Sequence, residues 1–270
     1  MTLASMRPVH GFAIPVLLYH SVDDEPAVGQ EPYTVTPKLF GEHVAAIADA
    51  GCTAMTISEL VAGLRGDRPL PARPVAVTFD DTFANTQAAV ERLREAGIPS
   101  TIYVQTNRIG LPDGPSVAAL RELAAAGTEV GAHTVSHPYL ESIPLADATQ
   151  EIAESRSVLE QHMQRRIETF AYPHGAYDRH VRAAVIAAGF TSAVAVKNAL
   201  SHPLDDPFAI ARWTVMHDTS TERLALVLTG HGLPLAWRKE RRRTRAARRA
   251  RRLRRRVETL KRRSDDAGAP

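Results

Sequence analysis

Short apolar runs rich in β-branched residues alternate with segments of helical periodicity between residues 13 and 230. The apolar runs predict strands at 14–19, 52–57, 75–79, 100–105, 128–132, 167–172, 191–196 and 208–215. The segments between them predict helices at 37–50, 58–64, 85–96, 117–126, 146–164 and 179–188. Strands that alternate with helices in this way predict an α/β fold with a mostly parallel sheet or barrel. We expect one domain, at 1–235.

The composition is that of a globular protein, with 44% apolar and 23% charged residues among 270. It excludes a disordered or collagen-like chain. No apolar run approaches the roughly 18 residues that span a bilayer, and no signal-peptide pattern opens the chain, so we expect a cytoplasmic protein. The single cysteine, Cys52, leaves no cysteine cluster for a metal. Any metal must therefore be held by histidine and carboxylate side chains.

Charge is distributed very unevenly along the chain. Residues 238–263 hold 16 Lys and Arg but 2 Glu, a charge of +14, which leaves 17 basic and 28 acidic residues, a charge of −11, elsewhere. This basic segment contains no Pro or Gly, and its apolar residues follow a helical spacing. We predict a basic amphipathic helical tail at 236–263 and a disordered C-terminus at 264–270.

The basic tail resembles an interfacial helix that binds an anionic membrane surface. We therefore expect the protein to lie at the inner face of the membrane. The alternatives are a coiled-coil partner, sequence-independent binding of nucleic acid, or a solvated tail without a partner. Nucleic acid is disfavoured, because the acidic remainder of the chain would repel phosphate groups and carries no nucleic-acid motif.

Two adjacent carboxylates, Asp80 and Asp81, follow the predicted strand 75–79. Successive side chains of an extended chain point to opposite sides, so one can bind a cation while the other accepts a proton. Alternatively, one of them is the N-cap of the helix that follows.

Histidines follow two other predicted strands. His133 and His137 come after strand 128–132, and they converge on one metal if the residues between them form a helical turn. His20 ends the first strand, where a structural role is the alternative. Carboxyl ends of strands are where α/β barrels build their sites, and Asp with two His is a metal-binding set with open positions.

A third cluster, Tyr172-Pro173-His174-Gly175, follows strand 167–172. It predicts a sharp turn that presents backbone N–H groups and an aromatic wall, with an ordinary β-to-α turn as the alternative. Together with Thr78-Phe79-Asp80-Asp81 and the His133/His137 pair, this cluster resembles the motifs of the polysaccharide deacetylase family, the NodB-homology group of carbohydrate esterases. The resemblance covers about residues 13 to 215.

The resemblance implies a distorted (β/α) barrel with fewer than eight regular strands, here followed by the basic helix. It also implies a divalent metal, most commonly Zn²⁺ with Co²⁺, Mn²⁺ or Ni²⁺ as alternatives, held by Asp81, His133 and His137, with Asp80 as the general base. Tyr19-His20 is similar to the poly-N-acetylglucosamine deacetylase branch, which implies that His20 is the catalytic acid.

His231 is the rival catalytic acid, because 228–231 resembles the usual C-terminal histidine motif of the family. However, Thr219 and Glu222 form a capping-box pattern that opens a helix to Leu228. Gly230 would then end this helix and leave His231 without a catalytic role.

Two positions depart from the family pattern: Thr82 stands where Gly is usual, and Ala171 where many members have an Arg that orients the base. Arg212, followed by Trp213, is our candidate to replace that Arg, and an exposed surface Arg is the alternative.

The implied activity is hydrolysis of the acetamide C–N bond of N-acetylated sugars in a polysaccharide, an oligosaccharide or a glycolipid precursor. The metal activates water, Asp80 takes its proton, backbone N–H groups near 173–175 stabilise the oxyanion, and His20 protonates the amine. Alternatives are a hydrolase of O-acetyl esters or of non-sugar amides, or an inactive carbohydrate-binding or scaffolding module, which Thr82 and Ala171 suggest.

Overall fold

The computed structural model describes residues 13–236 and 250–251. The strands in this part of the chain are β1 Val16–Tyr19, β2 Ser21–Val22, β3 Thr34–Val35, β4 Thr53–Met55, β5 Pro74–Phe79, β6 Ser100–Val104, β7 Glu129–Ala132, β8 Thr169–Ala171, β9 Ser192–Val196 and β10 Ile210–Thr214. The α-helices are α1 Pro37–Asp49, α2 Ile57–Arg65, α3 Thr86–Glu95, α4 Val117–Ala125, α5 Leu145–Met163, α6 Arg179–Ala187 and α7 Thr221–Leu228. Apart from residues 236, 250 and 251, the predicted tail 236–263 and the C-terminus 264–270 lie outside the described residues.

Seven parallel strands form a closed barrel in the order β1, β10, β9, β8, β7, β6, β5. The ring closes because β5 pairs with β1, in a register that runs from Val16 opposite Ala76 to Tyr19 opposite Phe79. β4 pairs with the first half of β5, and β2 and β3 form a separate short parallel pair. The predicted α/β barrel with fewer than eight regular strands is therefore confirmed.

Successive side chains along each barrel strand point to opposite sides, so they form two separate apolar layers. Side chains such as Phe79, Ile102 and Val130 point outward and pack against the helices. Their neighbours, such as Ala76 and Tyr103, point into the barrel. Both layers are buried, which explains why the strands are continuous apolar runs in the sequence.

Helix α2 crosses the lower opening of the barrel, where the strands begin. Its side chains Ile57, Leu60 and Val61 pack with the inward-facing residues of the ring. At its N-terminus, Thr56 forms a capping box with Glu59. The lower end is thereby filled, and only the upper end, where the strands finish, can hold a site.

Helix α7 begins one residue later than the capping-box pattern predicts. Its N-cap is Ser220, whose hydroxyl accepts a hydrogen bond from the Arg223 N–H. The Thr219 hydroxyl instead accepts from the Met216 N–H, 2.9 Å away, and so closes the preceding turn. Among the helices of the described residues, none is both long and apolar enough to cross a membrane.

Candidate active site

The predicted polar clusters meet at the upper end of the barrel, because parallel strands all finish there. Asp80 and Asp81 follow β5, and His133 follows β7. His20 follows β1, and the turn at 173–175 follows β8.

Three of these side chains form a set that fits a metal ion. Asp81 Oδ1 lies 3.6 Å from His133 Nε2 and 3.5 Å from His137 Nε2. One ligand atom from each residue lies within 4.8 Å of the other two. Tetrahedral zinc ligands with bonds of 2.0–2.1 Å are about 3.3 Å apart, so this arrangement is close to a zinc site.

The structure orients both histidines as neutral ligands. His133 Nδ1 bonds to the Ala171 carbonyl oxygen, 2.8 Å away, which leaves Nε2 with its lone pair towards Asp81. Burial lowers the pKa of His133 to about 3, and it also lowers the pKa of His137. Neutral imidazoles are the form that binds a metal.

The residues between these histidines form a bent loop, so the expected helical turn is wrong. Thr134 and His137 have φ values of +64° and +60°, in the left-handed region. Glu151 of α5 holds the loop, since its carboxylate accepts hydrogen bonds from the N–H groups of Val135 and Ser136, both at 2.9 Å. The loop brings the two imidazoles together without helical spacing.

Asp80 is held by Arg212, which extends from β10 inside the barrel. The guanidinium donates two hydrogen bonds of 2.6 Å, one to each carboxylate oxygen, and Arg212 is fully buried. Burial opposes ionisation, but the charge and hydrogen bonds of Arg212 outweigh it and lower the pKa of Asp80 to about 2. Arg212 is therefore a buried partner of Asp80, and the alternative of an exposed surface Arg is excluded.

Neither carboxylate is a helix N-cap, because α3 begins at Thr86 with Asn85 as its N-cap. Asp81 and Thr82 have φ values of +63° and +50°. Thr82 keeps this left-handed conformation with its hydroxyl donating to the Tyr103 carbonyl, 2.9 Å away. A left-handed backbone generally favours Gly. At Thr82, the hydrogen bond of the hydroxyl stabilises this conformation instead. Burial raises the pKa of Asp81 to about 6.

The two candidate acids lie at opposite ends of the barrel. His20 lies near Asp80 and Asp81, whose charges act on it, although burial has the larger effect and lowers its pKa. The ring of Tyr33 covers it at a centroid distance of 5.0 Å. His231 follows Gly230, which packs against Ala13 before β1 begins. Seven residues of extended chain separate Ala13 from His20, which is on the order of 20 Å.

Two predicted substrate-binding side chains point away from the site. Tyr172 stacks on Tyr177 outside the barrel, and its hydroxyl bonds to the Phe208 carbonyl. Trp213 belongs to the same outer layer, beneath Arg223 of α7. Neither side chain reaches the site in this structure, because adjacent strand residues face opposite sides and the inward positions belong to Ala171 and Arg212.

The turn at 173–175 contributes His174 instead of Tyr172. Gly175 permits this turn, since a Cβ there would come within 2.4 Å of the Val196 backbone nitrogen. Pro173 is buried, whereas the exposed His174 ring contacts His137 edge-on at 4.4 Å between centroids. Tyr139 stacks on the other side of His174 at 3.7 Å, so these two rings form the aromatic wall.

Sequence reasoning missed Tyr33, Tyr139 and Glu151. Tyr139 could have been found, because it lies two positions after His137 in the same loop. Tyr33 and Glu151 reach the site from a loop and from α5, and no local pattern marks them.

Comparisons with known proteins agree with this arrangement. Residues 67–193 match the family model for polysaccharide deacetylase. YxkH of Bacillus subtilis (strain 168), which is named for the same family, is 25% identical over 182 residues, or 67% of this chain and 63% of that protein. The match thus spans less than two thirds of that relative.

Two solved structures have the same fold. Deacetylase PplD of Streptococcus pyogenes, in complex with acetate, has a TM-score of 0.74 and 21% identity and covers 82% of this chain and 99% of its own. IcaB from Ammonifex degensii has a TM-score of 0.72 and 22% identity, over 82% of this chain and 98% of its own. These structures show the fold, and the match of residues 67–193 to the polysaccharide deacetylase model confirms the family resemblance of the motifs.

Proposed function

We propose that this protein is a metal-dependent hydrolase that removes acetyl groups from N-acetylated sugars. The observation that carries the proposal is the convergence of Asp81, His133 and His137 beside Asp80, a carboxylate held by Arg212. The family points to a carbohydrate amide as the substrate.

The donor set is one carboxylate and two neutral imidazoles, which suit Zn²⁺ and also Co²⁺, Mn²⁺ or Ni²⁺. When bound there, such an ion supplies Lewis-acid activation of water and of the amide oxygen. Asp81, His133 and His137 would hold it.

Asp80 and His20 each carry out one of the two proton transfers. Asp80 is ionised at neutral pH and accepts a proton from the attacking water, while Arg212 fixes its orientation. His20, on the neighbouring strand end, donates a proton to the departing amine. At the turn, Pro173 has no N–H and the Gly175 N–H bonds to the Tyr172 carbonyl, so we assign the oxyanion contact to the His174 N–H.

The two departures that suggested an inactive module do not disable this site. Arg212 contacts the base that Ala171 cannot reach, and Thr82 adopts the left-handed backbone without losing its hydrogen bond. These contacts favour an active enzyme over a binding or scaffolding module.

The decisive experiment incubates the purified full chain and Zn²⁺ or Co²⁺ with acetylated chito-oligomers and xylo-oligomers, and measures free amine and acetate. We expect equal amounts of amine and acetate from the chito-oligomers. Acetate from the xylo-oligomers alone would identify an O-acetyl esterase. Bound metal without either product would identify an inactive module.

Metal binding itself is tested by Asp81→Ala, His133→Ala and His137→Ala. Each variant removes one of three protein ligands, so each should lose the metal while it stays folded. His180→Ala, an exposed histidine on α6, is the control and should keep full occupancy in metal analysis by mass spectrometry. Full occupancy in both ligand-histidine variants would contradict the assignment.

The cytoplasmic location and the contact of the segment 238–263 with an anionic membrane surface are further proposals. The membrane contact rests on the charge of +14 in that segment. Co-sedimentation of the full chain with anionic but not neutral vesicles, weakened by salt, would support the membrane contact.

A further inference from the structure

One residue of the basic segment 238–263 contacts the domain beside the candidate site. Arg251 Nη2 donates a hydrogen bond of 2.7 Å to Glu141 Oε1, and its guanidinium lies 4.8 Å from the centre of the Tyr139 ring. The Glu141 side chain is 0% exposed, whereas that of Arg251 is 31% exposed. A cation from the C-terminal segment thus reaches a buried carboxylate.

A series of ring contacts leads from Tyr139 to one of the candidate metal ligands. Tyr139 stacks almost parallel on His174, with 3.7 Å between centroids and 13° between planes. His174 in turn contacts the His137 ring at 4.4 Å. Two aromatic rings therefore connect Arg251 to one of the three residues that would hold the metal.

Physical arguments favour a specific role for the arginine. A buried carboxylate is unfavourable without a positive partner, and a planar guanidinium can bond the carboxylate and lie over an aromatic ring at once. His137 and His174 both have left-handed backbones, with φ of +60° and +58°. Residues other than Gly hold such conformations only where their surroundings constrain them. The stacked Tyr139 and His174 rings add to the constraint that Glu151 places on the His137 loop.

We propose that Glu141 and Tyr139 form a docking site for Arg251, and that Arg251 is a positioning residue for the metal site. Docked, it holds the Tyr139–His174 wall against His137. Residue 251 is then anchored beside the site, so its position and the geometry of the site are coupled. The effect on metal binding rests on the proposed function, whereas the docking does not.

Docking is tested by hydrogen exchange on the metal-free full chain. We compare Arg251→Ala with Arg94→Ala, which removes the same charge from an exposed position on α3. Arg251→Ala should speed exchange in residues 138–145, where the Ser142 N–H bonds to the Tyr139 carbonyl, and Arg94→Ala should not. Equal exchange in the two variants would overturn the docking.

Positioning is tested on the same proteins by Zn²⁺ affinity, measured by chelator competition, and by kcat and KM on chito-oligomers. Arg251→Ala should weaken zinc binding about tenfold, the usual effect of losing a group that supports a ligand. Arg251→Lys should recover part of that loss, and Arg94→Ala should match the parent.

Unchanged zinc affinity and kcat in Arg251→Ala, with faster exchange, would overturn the positioning role. A parent chain that binds no zinc would refute the proposed function, and the exchange comparison would still decide the docking.

Discussion

The pKa and the orientation of Asp80 are set by one other side chain inside the barrel, that of Arg212. Arg212 binds both of its oxygens and keeps it ionised despite burial. A carboxylate with so low a pKa is a weak base, so its value to the proposed reaction lies in its fixed position beside the metal ligands. The His133 Nε2 atom is 3.8 Å from the same carboxylate.

We predict that Arg212→Lys lowers kcat about 100-fold while the metal is retained, because lysine keeps the charge but cannot hold both oxygens. Steady-state kinetics and metal analysis check this. Arg182→Lys is the matched control, since Arg182 of α6 makes the same two-bond contact with Asp206, away from the site. Equal activity in the two variants would contradict the positioning of Asp80 by Arg212.

The histidines at the two ends of the barrel allow a second test. His20→Ala should lower kcat by about 10²–10⁴-fold, the usual contribution of a general acid, with the metal retained. His231→Ala should change kcat little, because His231 follows α7 near the lower end. If the His231 variant were the impaired one, the acid would not come from the first strand.

At the scale of elements, the loop 133–137 depends on α5, the next α-helix along the chain. Glu151 of α5 accepts hydrogen bonds from two consecutive backbone N–H groups and from the Ser136 hydroxyl, 2.6 Å away. The His137 N–H donates to the Thr134 hydroxyl, 3.0 Å away. Helix α5 therefore supports the histidine loop, in addition to packing on the barrel.

We predict that Glu151→Ala weakens Zn²⁺ affinity by about 10–100-fold, because it frees the loop that carries His137. Chelator competition measures this. Glu154→Ala, one turn further along α5 and exposed, should leave the affinity unchanged. Parent-like affinity in the Glu151 variant would show that the loop holds its shape without α5.

At the scale of the whole molecule, the barrel has a strained upper end and a filled lower end. Five of the seven non-glycine residues with positive φ among those described are in the site loops: Asp81, Thr82, Thr134, His137 and His174. At the lower end, Glu129 of β7 accepts hydrogen bonds from the Ile57 N–H at 2.9 Å and the Thr101 hydroxyl at 2.7 Å. The residues that stabilise the barrel therefore lie at its lower end, and the residues of the candidate site lie at its upper end.

We predict that Glu129→Ala destabilises the protein by about 3 kcal/mol, because the buried Thr101 hydroxyl and the Ser58 N–H at the start of α2 lose their acceptor. Urea unfolding measures this. The exposed Glu122→Ala on α4 should change stability by less than about 0.5 kcal/mol. In folded protein, kcat of the Glu129 variant should match the parent. Equal stability of the two variants would contradict the role of Glu129.

Local sequence determined the elements and the position of the candidate site. Strand and helix periodicity located each barrel strand and helix to within a few residues, because burial on one or two faces imposes its own spacing. The motifs at strand ends could be placed on one side of the barrel for the same reason, since parallel strands end together.

Only the tertiary structure decided which side chains meet. Arg212 and Asp80 are 132 positions apart, and Arg251 and Glu141 are 110 apart, so no local pattern connects them. The outward direction of Trp213 could have been inferred from its neighbour Arg212, once Arg212 was known to face inward. The periodicity of the sequence predicts which face of its strand or helix a residue occupies. Which other side chain it contacts depends on how the barrel closes and on the path of each loop.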